Sequence, residues 1–174
     1  MDVPLEIERK WLVRDVSALP FDLDSVESHR LEQSYVSFRP QIRIRSFDGE
    51  RFVLTVKGHP AAPDVDDIVR VEYELEISEE EFLHLREKTE GRSISKTRYL
   101  VPQDGGLKFE IDLFEGMFAG LVVAEMEFPS VEAARAYPDP VWAERDISDD
   151  KTYSNVKMAQ ASVWPPESES EASI

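Results

Sequence analysis

Glu6-Ile7-Glu8-Arg9-Lys10 places two carboxylates and an ammonium at alternate positions. In an extended strand alternate side chains share a face, so Glu6, Glu8 and Lys10 point one way while Ile7, Arg9 and Trp11 point the other. Neighbouring carboxylates repel unless a cation sits between them, and a lysine beside them seeks an anion. The trio therefore suits a metal ion carrying a phosphate. One such triplet is equally an exposed strand of mixed charge, and only repetition on other strands decides between the two.

The pattern does repeat. Arg43-Ile44-Arg45 and Lys96-Thr97-Arg98 each put two bases on one face, Glu110-Ile111-Asp112 and Glu125-Met126-Glu127 each put two acids there, and Glu72, Glu74 and Glu76 alternate with apolar residues. Lys57 joins Arg43 and Arg45 only in the right register. A two-residue loop at Asp48-Gly49 turns it away, whereas a three-residue loop keeps it on their face, so an odd-length loop or a bulge is expected. Like charges two residues apart find no relief on a plain solvated face. A sheet curved into a closed barrel turns such faces inward and brings acids and bases from distant positions around one channel. At an effective dielectric near 20, unit charges about 4 Å apart interact by ~4 kcal/mol, so the bases need counter-charges or an anion. A polyanion with a divalent metal satisfies both sets. Glu72, Glu74 and Glu76 either neutralise the arginines across the channel or place one acid on metal, and the neutralising role is favoured.

The elements that must position these residues are mostly strands. Extended segments are expected at 4–13, 31–38, 41–47, 51–57, 68–77, 94–101, 107–114 and 121–128, with hairpin turns at Asp48-Gly49 and Asp104-Gly105-Gly106, hence antiparallel neighbours. The clearest helix is 79–90, with Ser78 as N-cap, Glu81 completing a capping box, Gly91 as its stop and Phe82, Leu85 and Leu83 as its apolar stripe. A shorter helix is expected after Ser130, ending before Pro138, and a last one over 152–161. The stretch 59–67 reads as a proline-rich loop. The three tryptophans, Trp11, Trp142 and Trp164, read as packing or surface anchors.

Composition narrows the class. With 174 residues, 41% hydrophobic and 10% aromatic, the chain suits one globular domain over 1–161 with a solvated acidic tail at 162–174. A net charge of −16 argues against sequence-independent nucleic-acid binding. No apolar run is long enough for a membrane helix and no signal-peptide pattern opens the chain, so a soluble, cytoplasmic protein without membrane attachment is expected. The absence of cysteine excludes disulfides, thiolate metal sites and cysteine nucleophiles. His29, His59 and His84 lack ligand spacing. Neither a phosphate-binding glycine loop nor a nucleophile elbow is present.

Taken in order, EIERK at 6–10, RIR at 43–45, LTVK at 54–57, YELEI at 73–77, KTRY at 96–99, EIDLFEG at 110–116, VVAEMEF at 122–128 and DKTYSN at 150–155 resemble the CYTH, or triphosphate tunnel metalloenzyme, family. The resemblance implies an α+β fold, an eight-stranded antiparallel β-barrel (tunnel) with helices packed outside, whose lumen binds a small-molecule triphosphate with Mg²⁺ or Mn²⁺. It implies that Lys10, Arg43, Arg45, Lys57, Lys96 and Arg98 grip phosphate oxygens. Glu6, Glu8, Glu125 and Glu127, with Asp112 and Glu110 nearby, would hold metal, a second ion being held partly by Asp112. Glu6, Glu8, Lys10, Asp112 and Glu127 are the residues implied to carry catalysis. Within the family the opening EIERKWLV and the compact length look like the short bacterial inorganic triphosphatases, which hydrolyse tripolyphosphate to pyrophosphate and phosphate. The other activities are those of thiamine triphosphatase, nucleoside triphosphatase and class IV adenylate cyclase, and a non-catalytic polyphosphate-binding module is the alternative of another kind. Relatives are commonly homodimers.

Overall fold

The computed structural model describes residues 5–58 and 69–165, with the side chains of 69 and 70 left aside. Register begins at one turn. Asp48 and Gly49 take φ of 55° and 72°, a left-handed conformation that glycine adopts freely and aspartate tolerates. They lie in a three-residue loop, 48–50, because Phe47 pairs with Arg51. Lys57 consequently pairs with Gln41, on the face of Arg43 and Arg45, as the odd-length loop requires.

The strands are β1 (Leu5–Val13), β2 (Glu27–Phe38), β3 (Gln41–Phe47), β4 (Arg51–Gly58), β5 (Val69–Ile77), β6 (Glu90–Pro102), β7 (Lys108–Phe114) and β8 (Val122–Glu127), with a two-residue β9 (Arg145–Asp146). They pair antiparallel in the order β5-β4-β3-β2-β6-β7-β8-β1. Leu5, Glu6 and Ile7 then pair with Val71, Arg70 and Val69, which joins the first strand to the last and closes the barrel. β9 occupies the rest of that edge of β1, opposite Trp11 and Leu12. Closure satisfies the ladder groups that an open sheet would leave unpaired.

Three helices accompany the strands: α1 (Glu79–Arg86), α2 (Val131–Ala136) and α3 (Asn155–Gln160). Ser78 caps α1 in a reciprocal capping box with Glu81, as expected, but the helix ends at Arg86 rather than 90. Gly91 is therefore not its stop. It belongs to β6 at φ 67°, and a Cβ there would come within 2.5 Å of the Ala159 carbonyl oxygen, so glycine permits α3 to approach. Leu83 is exposed, and the stripe of α1 is Phe82 with Leu85.

Two apolar layers lie outside the barrel. Trp11, Ile111, Ala124 and Met126 are wholly buried with Ala134 of α2, and Ile44 and Phe52 lie with Phe82 of α1. Burying each such large side chain is worth roughly 1.5–3 kcal/mol. A third layer is inside. Ile94, Phe114 and Val123 continue the inner faces that carry Lys96, Asp112 and Glu125, and they pack with Tyr35 on Met158 and Ala159 of α3. Thus α1 and α2 flank the barrel, while α3 stops one end of it. Trp164 packs on Phe118 and Tyr153 at ring-centroid distances of 5.3 and 5.7 Å, so the packed body reaches that residue. The expected loop at 59–67 and the tail from 166 onward lie outside the described residues. Among the described residues no helix is long and apolar enough to cross a membrane.

Candidate active site

Inside the barrel, at the end away from α3's apolar contacts, is a cavity of about 340 Å³. Its wall carries Glu6, Glu8 and Lys10 of β1, Arg43 and Arg45 of β3, Lys57 of β4, Glu72 and Glu74 of β5, Arg98 of β6, Glu110 of β7, and Glu125 and Glu127 of β8. Strand alternation puts them there. Glu8 lies opposite Glu127, Lys10 opposite Glu125, Glu110 opposite Glu125, and Lys57 opposite Glu72. Arg9 takes the outer face, where Asp139, Asp146 and the carbonyls of Ala134 and Tyr137 accept its hydrogen bonds.

Most of the bases are already matched to acids. Lys10 Nζ lies 2.9 Å from Glu125 Oε1 and 3.3 Å from Glu8 Oε1. Lys57 Nζ lies 2.9 Å from Glu6 and 2.5 Å from Glu72, whose other oxygen is 3.4 Å from Arg43 Nη2. Arg98 donates to both oxygens of Asp112 at 2.7 Å and to Glu125 at 2.9 Å, and pairs also with Glu110. Glu74 accepts from the Thr55 hydroxyl at 3.3 Å, and Glu76 pairs with Arg51 on the surface. The neutralising role thus describes Glu72, and the acids of β5 do not act alike.

Lys96 and Asp112 are not on the cavity wall. Both side chains are fully buried beyond it on the same inner faces, toward the layer under α3, and pair with each other, and Asp112 also anchors Arg98. Strand parity gives their face but not their depth. Asn155 at the start of α3 also lines the cavity, although no role was expected of it. Its one signal was membership of the DKTYSN stretch.

Titration behaviour follows from this crowding. Burial alone would lower the Lys10 ammonium, but Glu125 and Glu8 outweigh it and raise its pKa. Burial would likewise raise Glu125, yet Lys10, Arg98 and Lys96 hold it well below the usual carboxylate range. Burial with Arg98 nearby pulls Lys96 down to about 8 against the attraction of Asp112. Burial and the neighbouring Arg43 and Arg98 lower Arg45 to about 10. Glu127 is raised by burial and by Glu6, Glu110 and Glu8, and Glu6 by burial and its contact with Glu72. Raised carboxyls at one mouth and a depressed guanidinium deeper in are the signs of a site short of a cation and of an anion.

A closed antiparallel barrel with such a wall defines a class of polyanion-binding tunnel proteins. No protein-family model matches the chain. It is, however, 33% identical over 157 residues to an inorganic triphosphatase of Nitrosomonas europaea, covering 88% of this chain and 96% of the relative. It is 35% identical over 131 residues to an inorganic triphosphatase of Acetivibrio thermocellus, covering 74% of this chain and 78% of that one. A crystal structure of an inorganic triphosphatase superposes with a TM-score of 0.63 at 31% identity, over 91% of this chain and 96% of the other. The chain belongs to the CYTH, or triphosphate tunnel metalloenzyme, family.

Proposed function

We propose that this protein hydrolyses inorganic triphosphate to pyrophosphate and phosphate with the help of a divalent cation. The observation that carries this reading is the single inner wall on which bases and acids from seven strands face one cavity of about 340 Å³. The relatives named inorganic triphosphatase support the choice of substrate. Lys10, Arg43, Arg45, Lys57 and Arg98 hold phosphoryl oxygens, a role in which positioning and charge neutralisation supply most of the catalysis. Asp112, itself held by Lys96, fixes Arg98 in place through the hydrogen bonds described above.

The donor set fits a hard cation such as Mg²⁺ or Mn²⁺, being carboxylate oxygens only: Glu6, Glu8, Glu110, Glu125 and Glu127 would hold it. Among the described residues no three acids or histidines already enclose a cation site. When bound, the ion would supply charge neutralisation at the phosphates and make a water more acidic. Hydrolysis adds the oxygen of a water to a terminal phosphorus and breaks the bond from that phosphorus to the bridging oxygen, releasing phosphate and pyrophosphate.

The test is phosphate release from tripolyphosphate, ATP and thiamine triphosphate with Mg²⁺, with Mn²⁺ and with EDTA. Turnover fastest with tripolyphosphate and lost in EDTA is expected. No metal-dependent turnover of any of the three would sink the enzyme reading.

A further inference from the structure

Arg45 differs from the other inner cations. Lys10, Arg43, Lys57, Lys96 and Arg98 each have a carboxylate within 3.4 Å. Among the described residues Arg45 forms no ion pair: its guanidinium lies 5.5 Å over the Phe47 ring, and its Nε, like that of Arg43, is buried without a hydrogen-bond partner. The residue opposite it on β2 is Gln33, which is 1% exposed. Both Oε1 and Nε2 of Gln33 are also buried without a partner. Directly opposed residues have Cβ atoms about 4.5–5.5 Å apart, so the orphaned acceptor and the orphaned donor belong to side chains in reach of one another. On its other side Gln33 lies opposite Ile94, part of the apolar layer under α3. It therefore sits where the charged wall gives way to the closed end.

The chemistry of the amide is informative. An apolar side chain of the same length would spare the desolvation of two unpaired polar atoms, whereas a glutamate would give Arg45 the counter-ion that its neighbours have. Of these three side chains only the amide accepts a hydrogen bond from Nε–H while leaving the guanidinium charge uncompensated. We propose that Gln33 is a positioning residue for Arg45. When a phosphoryl group occupies the inner end of the cavity, the guanidinium turns its Nη groups to that anion and its Nε–H donates to Gln33 Oε1. The pair makes an anion seat that is positive before the substrate arrives. This rests on the triphosphate reading of the cavity.

The experiment compares tripolyphosphate kinetics and thermal unfolding in Gln33→Met and Gln33→Glu. For Gln33→Met the melting temperature rises by a few degrees, because two buried unpaired atoms are gone, while KM rises about tenfold and kcat stays within about threefold, the loss of one charge-assisted hydrogen bond. For Gln33→Glu the fold is kept and KM rises further, to about 100-fold, because a fixed carboxylate now competes with phosphate for Arg45. A merely structural glutamine would move the melting temperature and leave KM alone. Wild-type KM in Gln33→Met overturns the proposal, and if that variant does not fold, wild-type KM in Gln33→Glu does so. Failure of the triphosphate reading is distinct, since the unmutated protein would then show no turnover.

Discussion

Lys57 lies between Glu6 and Glu72, and Lys10 between Glu8 and Glu125, so each ammonium can grip phosphate only by loosening its hold on a carboxylate. The two kinds of residue should separate in kinetics. Lys57→Ala is expected to raise KM for tripolyphosphate on the order of 10- to 100-fold with a smaller change in kcat, since a charge-assisted contact to bound substrate is lost. Glu8→Gln keeps the shape but removes the negative charge and one of the two oxygens that can donate to a cation, and should lower kcat by on the order of 100-fold or more. Steady-state kinetics across metal concentrations distinguish them, and wild-type behaviour of Glu8→Gln would refute its role. At this scale the inner faces of Arg43, Arg45 and Lys57 were legible because side-chain direction has a period of two. Height along the barrel was not, since strand tilt and shear set it and no local pattern records them. That is why Lys96 and Asp112, though on inner faces, lie beyond the cavity, toward the layer under α3.

One hairpin is pinned by a titratable contact. His29 Nδ1 lies 2.6 Å from Asp48 Oδ2 and Nε2 lies 2.9 Å from Glu27 Oε1, which ties the start of β2 to the β3–β4 turn. Bonds to Asp48 and then Glu27 raise the His29 pKa, and the bond from His29 followed by the Arg30 N–H lowers that of Asp48. A raised histidine stabilises the fold below its unfolded pKa of about 6.5, and this is lost as pH rises through the folded value. A lowered aspartate stabilises above about 3.9 and loses this as pH falls. The turn is thus held best between about pH 4 and 6.5. In thermal melts the advantage of the unmutated protein over His29→Gln should be largest near pH 5 to 6 and shrink toward pH 9, by about what linkage prescribes. A constant difference over that range would count against the contact. The same segment shows what elements conceal: β2 begins at Glu27 rather than at 31, because Glu27-Ser28-His29-Arg30 has no apolar alternation and becomes a strand only by pairing with Leu100, Tyr99, Arg98 and Thr97 of β6. Gly91 likewise answers not to α1 but to a helix remote in sequence, whose Ala159 carbonyl leaves no room for a Cβ.

For the whole molecule, α3 is both a piece of core and an end wall. Met158 is wholly buried against Ile94, Phe114 and Val123, so Met158→Ala should cost about 2–5 kcal/mol in denaturant unfolding. It does not line the charged cavity, and the KM for tripolyphosphate should stay within about twofold while the protein remains folded. A cost below about 1 kcal/mol would mean that the barrel end closes without it. The wall has a further effect, on the order of departure. A chain that enters a stopped barrel has one way back, so after cleavage the fragment resting toward α3 waits behind the fragment nearer the opening. Release becomes a queue, in which the first phosphate group to arrive is the last to go.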